Sequence, residues 1–362
     1  SFYKIVKGTL ENVVFDNAYI NTNDSMAIVA DRVSGGTVRN VTVTNSRVNA
    51  FGGYRTTTSR YYVAGLVRKL EEASTITRNV LSNVRIDYTD YYAQTYTFGT
   101  TDDCYNPYIG SIVGGAPNGK AYVISENAFA GSINLYGDIV AKVGGIVGQL
   151  KGTTGAKATL KDNIARGTFN NYSTDNRAVF APIVYNVKYA DLKSSISAFS
   201  VNGTKTGNRA AIEADDSTTT YSYLVVSNTS TSSTTSNTSI AVHTLAEMAS
   251  DSTTVYVRGE STFDFDKVWS QATGDNDSYP YPKASGNVYY ITVNNTATTD
   301  KYTQTVNDGL SGFDTIINSG TSKTYVVPYG TNTAIITTTP GIGVEVAVSS
   351  ATADGKVAFT DL

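Results

Sequence analysis

The chain has 362 residues, 40% of them hydrophobic and 16% charged, with a net charge of −3. That length admits two or three domains, and the charge supplies neither a basic face for nucleic acid nor a strong field for steering anions. No apolar run reaches the roughly 18 residues that a membrane span needs, so no membrane insertion is expected.

Tyr, Thr, Val, Ile and Asn dominate, with 26 Tyr and 31 Gly, while helix-forming Ala-Leu-Glu-Lys stretches are nearly absent. This is the vocabulary of strands, and the expected class is all-β. A single cysteine, Cys104, cannot close an internal disulfide. Beside so much Thr, Asn and Tyr, it suggests a large β-body at a bacterial or archaeal surface; a lone thiol of cytosolic type is the alternative, and Cys104 alone does not decide between them. The chain opens at Ser1 with neither Met nor a signal peptide, which reads as a processed form or an excised fragment.

From the first residues onward an apolar pair recurs: Ile5-Val6, Ile28-Val29, Leu66-Val67, Ile112-Val113, Ile146-Val147 and Ile183-Val184. Its settings include "MAIVAD", "VAGLVR", "IGSIVGG", "VGGIVGQ" and "FAPIVY". After a polar stretch of variable length a second signature follows: "ENVVFDNAYI", "RNVTVTNSRV", "RNVLSNVRI", "ENAFAGSI", "DNIARGTF" and "SSISAFSV". Asn12, Asn40, Asn79, Asn127 and Asn163 are read as one place in it, taken by Ser195 in the sixth copy. Each copy is too short to bury its apolar side alone, so copies must stack.

The expected architecture is a parallel β-solenoid with irregular inserted loops. Coils lie on one another at about 4.8 Å, and six of them stand on the order of 30 Å tall. Val41, Val43 and Val48 should face inward, with Thr42, Thr44 and Asn45 outside or at corners. The recurring Asn should both accept left-handed backbone and bond the neighbouring coil. In "VGGIVGQ" no Lys-Ser/Thr follows the glycines, so the stretch is a structural turn and not a phosphate loop.

The pairing of "GGIVG" with "NVxVxN" resembles the GLUG-type repeats of large bacterial surface proteins, among them adhesin-like proteins and the stalks of surface metalloproteases. The resemblance is clearest over residues 1–204. "FDFDKVWSQATGDNDSYPYPK", residues 263–283, resembles the closing segment that commonly follows such repeats. The resemblance implies a secreted, surface-displayed solenoid and no particular activity. Intervals between copies swing widely, because long loops are inserted.

Beyond the repeats, residues 217–239 are Ser/Thr-rich; "YSYLVVS" reads as one last strand and the remainder as an exposed loop. In "HTLAEMASDS", Thr244 and Glu247 form a capping box before Leu245 and Met248. A short helix is expected there, closing the open end of the solenoid. From residue 286 seven short alternating segments separated by turn residues predict a small immunoglobulin-like β-sandwich. The organisation is thus residues 1–243 solenoid, 244–285 capping helix and closing segment, and 286–362 sandwich.

Chemistry has few candidates. His243 is the only histidine, and "HTLAE" lacks the spacing of a zinc protease, so no metal or cofactor is expected. Carboxylate pairs that a glycosidase would need occur as Asp102-Asp103, Asp215-Asp216, Asp264/Asp266 and Asp275/Asp277, but neighbours on one loop do not face each other across a cleft. The Tyr-rich insertions are the better candidate. They carry Tyr54, Tyr61 and Tyr62 in "FGGYRTTTSRYY", then Tyr88, Tyr91, Tyr92, Tyr96, Phe98, Tyr105 and Tyr108 in "YTDYYAQTYTFGTTDDCYNPY". Both leave the solenoid between equivalent points of successive coils and should emerge on one side. Tyr offers flat apolar area with a polar tip, suited to sugar rings or a protein anchor; the alternative is that these rings pack down on the solenoid wall and hold the long loops in place. The expectation is a non-enzymatic, extracellular surface protein, an adhesin or scaffold subunit whose partners are a glycan or a host or neighbouring protein, able to self-associate through its solenoid or sandwich edges. A polysaccharide-cleaving β-helix and a filament or surface-layer subunit are the alternatives.

Overall fold

The computed structural model describes residues 1–23, 25–52, 61–90, 107–137, 141–173, 178–203, 219–222, 224–227, 240–249, 268–270 and 279–282. It also describes the strand backbones within residues 288–359. The protein is all-β and its main sheets are parallel. A first sheet stacks Tyr3–Val6, Ala30–Val33, Val67–Leu70, Val113–Ala116, Val147–Lys151 and Val184–Lys188. A second stacks Thr9–Glu11, Thr37–Arg39, Thr75–Thr77, Val123–Ser125, Ala158–Lys161, Ala190–Lys193 and Thr220–Ser222. The third runs from Val14–Asp16 through Thr42–Gly52, Val80–Asp90, Ala128–Gly137, Ile164–Asn171, Ile196–Asn202 and Leu224–Ser227 to Ile240–His243, with Tyr19–Thr22 also pairing Thr42–Gly52. A short fourth holds Tyr62–Ala64, Tyr108–Gly110, Lys142–Gly144 and Val179–Ala181. The chain visits the sheets in turn, layer after layer, and each strand pairs with its counterpart one layer away.

Val41, Val43 and Val48 lie in a continuous apolar core with Leu66, Ile112, Ile146 and Ile183. Thr42 and Thr44 are buried as well, against expectation. Thr42 is flanked by Val14 and Val80 in the adjoining strands, and the Thr44 hydroxyl donates to Asp16 at 2.7 Å.

Register corrects the sequence alignment of the first two copies. Ala30 pairs with Val67, and Tyr3 pairs with Ala30. The place of Leu66-Val67 is therefore held by Val29-Ala30 in the second layer and Phe2-Tyr3 in the first, one and three residues before or after the pairs read from the sequence. A slip of one residue turns every side chain to the other face, so pairing, and not the look of an Ile-Val dipeptide, fixes the equivalence.

The corner from second to third sheet corrects a second reading. In six layers it is a residue pair: Asn12-Val13, Asn40-Val41, Arg78-Asn79, Glu126-Asn127, Asp162-Asn163 and Ser194-Ser195. The first of each pair has left-handed backbone, with φ between 43° and 58°. The second faces inward. Asn12 and Asn40 thus belong to the strained place, and Asn79, Asn127 and Asn163 to the next one; the two duties expected of a single Asn are split between neighbours.

The inner residues form a buried amide ladder. Asn127 Oδ1 accepts from Asn79 N at 3.1 Å and Nδ2 at 2.8 Å, and Asn163 Oδ1 accepts from Asn127 N at 3.1 Å and Nδ2 at 2.9 Å. Each Nδ2 also donates to a carbonyl: Asn79 to Val38, Asn127 to Ile76, Asn163 to Ile124. Val41 N donates to Asn79 Oδ1 at one end, and the Ser195 hydroxyl accepts from Asn163 N at the other. Buried amides cost little when every donor is matched, and these are.

The glycines of "VGGIVGQ" are needed for close approach. A Cβ on Gly144 would sit 1.8 Å from the Val147 carbonyl oxygen, and one on Gly145 2.0 Å from that of Pro182.

The helix Leu245–Ala249 forms as the capping box predicts: Glu247 N donates to Thr244 Oγ1 at 3.1 Å, and Thr244 N to Glu247 Oε2 at 2.7 Å. Its position differs from expectation. Met248 packs with Val268, Trp269 and Tyr279 against Ile164, Ile196 and Ala198 on the outer face of the third sheet. An apolar flank needed covering there, while the sheet itself is prolonged past the sixth layer by Leu224–Ser227 and Ile240–His243. Near the C-terminus each of the seven expected segments carries a strand. Val288–Asn294 pairs antiparallel with Ser322–Pro328 and parallel with Lys356–Phe359, and the other four form two antiparallel pairs.

Candidate functional site

The expected tyrosine site divides. Tyr54, Tyr91, Tyr92, Tyr96, Phe98 and Tyr105 lie outside the described residues, as do Cys104 and all four carboxylate pairs. Tyr61, Tyr62, Tyr88 and Tyr108 are only 1–3% exposed and are part of the body of the stack. Tyr88 pairs in register with Ala50 and Leu135 and joins the apolar core. Tyr62 and Tyr108 sit one above the other on the fourth sheet with rings stacked at 5.8 Å, and the Tyr62 hydroxyl donates to buried Gln149 at 2.9 Å. A Cβ on Gly115 would fall 2.1 Å from the Tyr62 ring, so this glycine makes room for it. The chain does leave the third sheet and re-enter at the fourth around both insertions, after Gly52 and Asp90 and before Tyr62 and Tyr108.

Another surface gathers polar chemistry. Strands of the first and second sheets have three to five residues, whereas Thr42–Gly52 and Val80–Asp90 have 11, Ala128–Gly137 has 10 and Ile164–Asn171 has 8. Their second halves alternate strictly: Val48, Ile86, Ile133 and Phe169 point into the core. The intervening residues therefore form rows along the stack on the outer face. One row is Tyr19, Arg47, Arg85, Ser132 and Thr168; the next is Asn21, Asn49, Asp87, Asn134, Asn170 and Asn202. A third contains Phe51, Thr89 and Tyr136 in register, with Tyr172 stacked on Tyr136.

The middle row is a second ladder. Asn49 donates to Asn21 at 3.0 Å, Asn134 to Asp87 at 2.7 Å, Asn170 to Asn134 at 2.7 Å and Asn202 to Asn170 at 2.8 Å. Asp87, its one carboxylate, is buried and also accepts from Arg47 Nε at 2.6 Å and Arg85 Nε at 2.8 Å. Two guanidiniums on one carboxylate leave a net positive charge on this face. Burial works against the Arg85 charge, but the hydrogen bond and charge of Asp87 raise its pKa on balance. Arg85 Nη2 also donates to the Tyr136 hydroxyl at 3.0 Å. The Tyr136 and Tyr172 rings stack at 5.2 Å and 16°, and Tyr172 is 59% exposed. At the start of the stack, Arg47 lies 5.9 Å from the ring centre of Tyr19, itself 57% exposed.

Sequence reasoning passed over these residues because it looked for dense tyrosine. A signal was present: Val48-Asn49, Ile86-Asp87, Ile133-Asn134, Phe169-Asn170 and Val201-Asn202 each set a short polar residue directly after a core one. Elsewhere, buried Asp31 is held by Arg68 and Arg32, and His243 lies 3.7 Å from Glu247. Among the described residues no group of three or more His, Cys, Asp or Glu is placed to hold a metal ion. No family model, curated protein or solved structure matches this chain.

Proposed function

We propose that the protein is a non-enzymatic, extracellular surface protein built on a β-solenoid, with an immunoglobulin-like module at its C-terminal side, and that it binds a glycan through the outer face of the third sheet. The observation that carries this reading is the exposed Tyr136–Tyr172 stack beside a flat row of amides and two arginines. Aromatic rings supply apolar contact to the faces of sugar rings, and fixed amides and guanidiniums supply matched hydrogen bonds to their hydroxyls. The strands that precede both Tyr-rich insertions end at Gly52 and Asp90, directly after the aromatic row. The test is pull-down of the purified chain on a panel of insoluble polysaccharides, beside a Tyr136→Ala/Tyr172→Ala variant with an unchanged circular dichroism spectrum. Loss of binding in the variant supports the reading. Binding that survives there, but is lost when residues 91–106, between the strands Val80–Asp90 and Tyr108–Gly110, become a short Gly-Ser loop, moves the site to the insertion.

A filament or surface-layer subunit is the second reading, favoured by Phe2, Tyr3 and Ile5, which are 58%, 39% and 39% exposed at the outermost strand of the first sheet. Exposed apolar strand edges are templates for further pairing. Ordered filaments under the electron microscope, lost on Phe2→Ser/Ile5→Ser, would establish it.

A further inference from the structure

We infer that the ligand of this face is an acidic polysaccharide, a chain of uronate-type sugars lying along the stack axis; this rests on the glycan reading above. The charge of the ligand follows from the arginines. Arg47 and Arg85 each direct Nε at the same buried carboxylate, so Asp87 neutralises one of the two positive charges. The side chains of Arg47 and Arg85 remain 41% and 44% exposed, so part of each guanidinium is accessible to a second anion, one Nη of Arg85 being taken by the Tyr136 hydroxyl. The guanidinium fork matches a carboxylate in shape as well as charge. The neighbouring outer positions, Ser132, Thr168, Asn134 and Asn170, are uncharged and repel no anion.

The length and direction of the ligand follow from register. Arg85 belongs to the third layer and touches the hydroxyl of Tyr136 in the fourth, while exposed Tyr172 belongs to the fifth. The strand positions of Arg85 and Tyr172 are therefore two layers apart, about 10 Å along the axis, with Tyr136 bridging them. A chain of sugars running along the stack spans from one to the other. Beside them Ser132, Thr168 and Asn170, partly exposed, follow the same direction, while Asn134 and Asp87 lie buried beneath.

The experiment is isothermal titration calorimetry of the full chain with polygalacturonate, its highly methyl-esterified and therefore uncharged counterpart, monomeric galacturonate and polyglutamate. The expected result is binding of polygalacturonate that weakens at least tenfold on methyl esterification, weakens as salt rises, and falls at least tenfold in both Arg85→Gln and Tyr172→Ala. Arg85→Lys should recover only part of the loss, and monomeric galacturonate should not compete. Equal affinity for the charged and esterified polymers in the unaltered chain would overturn the acidic ligand while leaving glycan binding intact. Binding of none of the sugars would overturn both readings. Polyglutamate bound as tightly as polygalacturonate, with no effect of Tyr172→Ala, would reassign the face to an acidic protein and sink the proposal.

Discussion

Truncating Asn127 to Ala should be among the most damaging single changes to the stack. Its Oδ1 is the acceptor for two donors of Asn79, the backbone N–H and one N–H of the side-chain amide, and both residues are wholly buried. Removing it orphans those two donors at about 1–3 kcal/mol each, or about 4 kcal/mol together. Asn163 Oδ1 and the Ile76 carbonyl also lose a partner, but each keeps or can accept others. For a body of this size, about 4 kcal/mol corresponds to a fall in Tm of roughly 8–16 °C. The control is Asn12→Ala, an exposed residue at the left-handed corner with φ of 58°, where only backbone preference is lost, about 1 kcal/mol. Urea and thermal unfolding followed by circular dichroism would compare the two. If Asn127→Ala costs no more than Asn12→Ala, the ladder is not what holds successive layers together, and the reasoning fails.

Gly144→Ala drives a methyl into the Val147 carbonyl and should cost about 3 kcal/mol or more, whereas Gly155→Ala, with nothing within 4 Å of the new Cβ, should stay within about 0.5 kcal/mol of the parent; chemical denaturation reads both. Burial pushes the Tyr122 phenol up to about 12, so the fold keeps it protonated after the unfolded chain has ionised. Its contribution is complete below pH about 10 and is lost as pH rises toward 12, so Tyr122→Phe should flatten the alkaline fall in stability; an unchanged slope would refute it. The Thr220 hydroxyl, against an opposing effect of burial and with help from Lys157, holds the Asp191 carboxyl below its ordinary 3.8. That contribution is present above the ordinary value and is lost as pH falls through the folded one, so Thr220→Val should make unfolding less acid-dependent below pH about 4, measured by denaturant titration at several pH values.

The parallel stacking was legible because it rests on periodicity: an apolar pair and a polar corner recurring six times cannot bury themselves singly. What resisted was phase. Ile28-Val29 looks like Leu66-Val67, yet pairing places Val29-Ala30 there, because hydrogen bonds and not dipeptide identity set the register. Asn12 and Asn79 looked equivalent although the first relieves strain and the second bonds across layers; Asn is chemically fit for both, so the residue type alone cannot separate them. The functional reading suffered from the same ambiguity. Tyr62, Tyr88 and Tyr108 carry the same ring as Tyr172, and only the inward or outward sense of each strand position tells packing from display. The outer ladder left only the repeated core-then-polar dipeptide as a trace, for a further reason. Its partners lie between 28 and 47 residues apart in sequence, and no local pattern joins them.

The two amide ladders run in opposite directions. In the inner one each Asn donates to the layer after it, a sense fixed by the backbone N–H groups that must meet Oδ1. In the outer one each donates to the layer before it, a sense anchored at Asp87, which can only accept. A single row of aligned amides would add up along the axis as peptide dipoles do in a helix, leaving one end of the body positive and the other negative. Opposed rows offset one another, so less field builds along the axis than either row would give alone. Attraction of a charged partner then falls to local groups on the flank, such as Arg47 and Arg85.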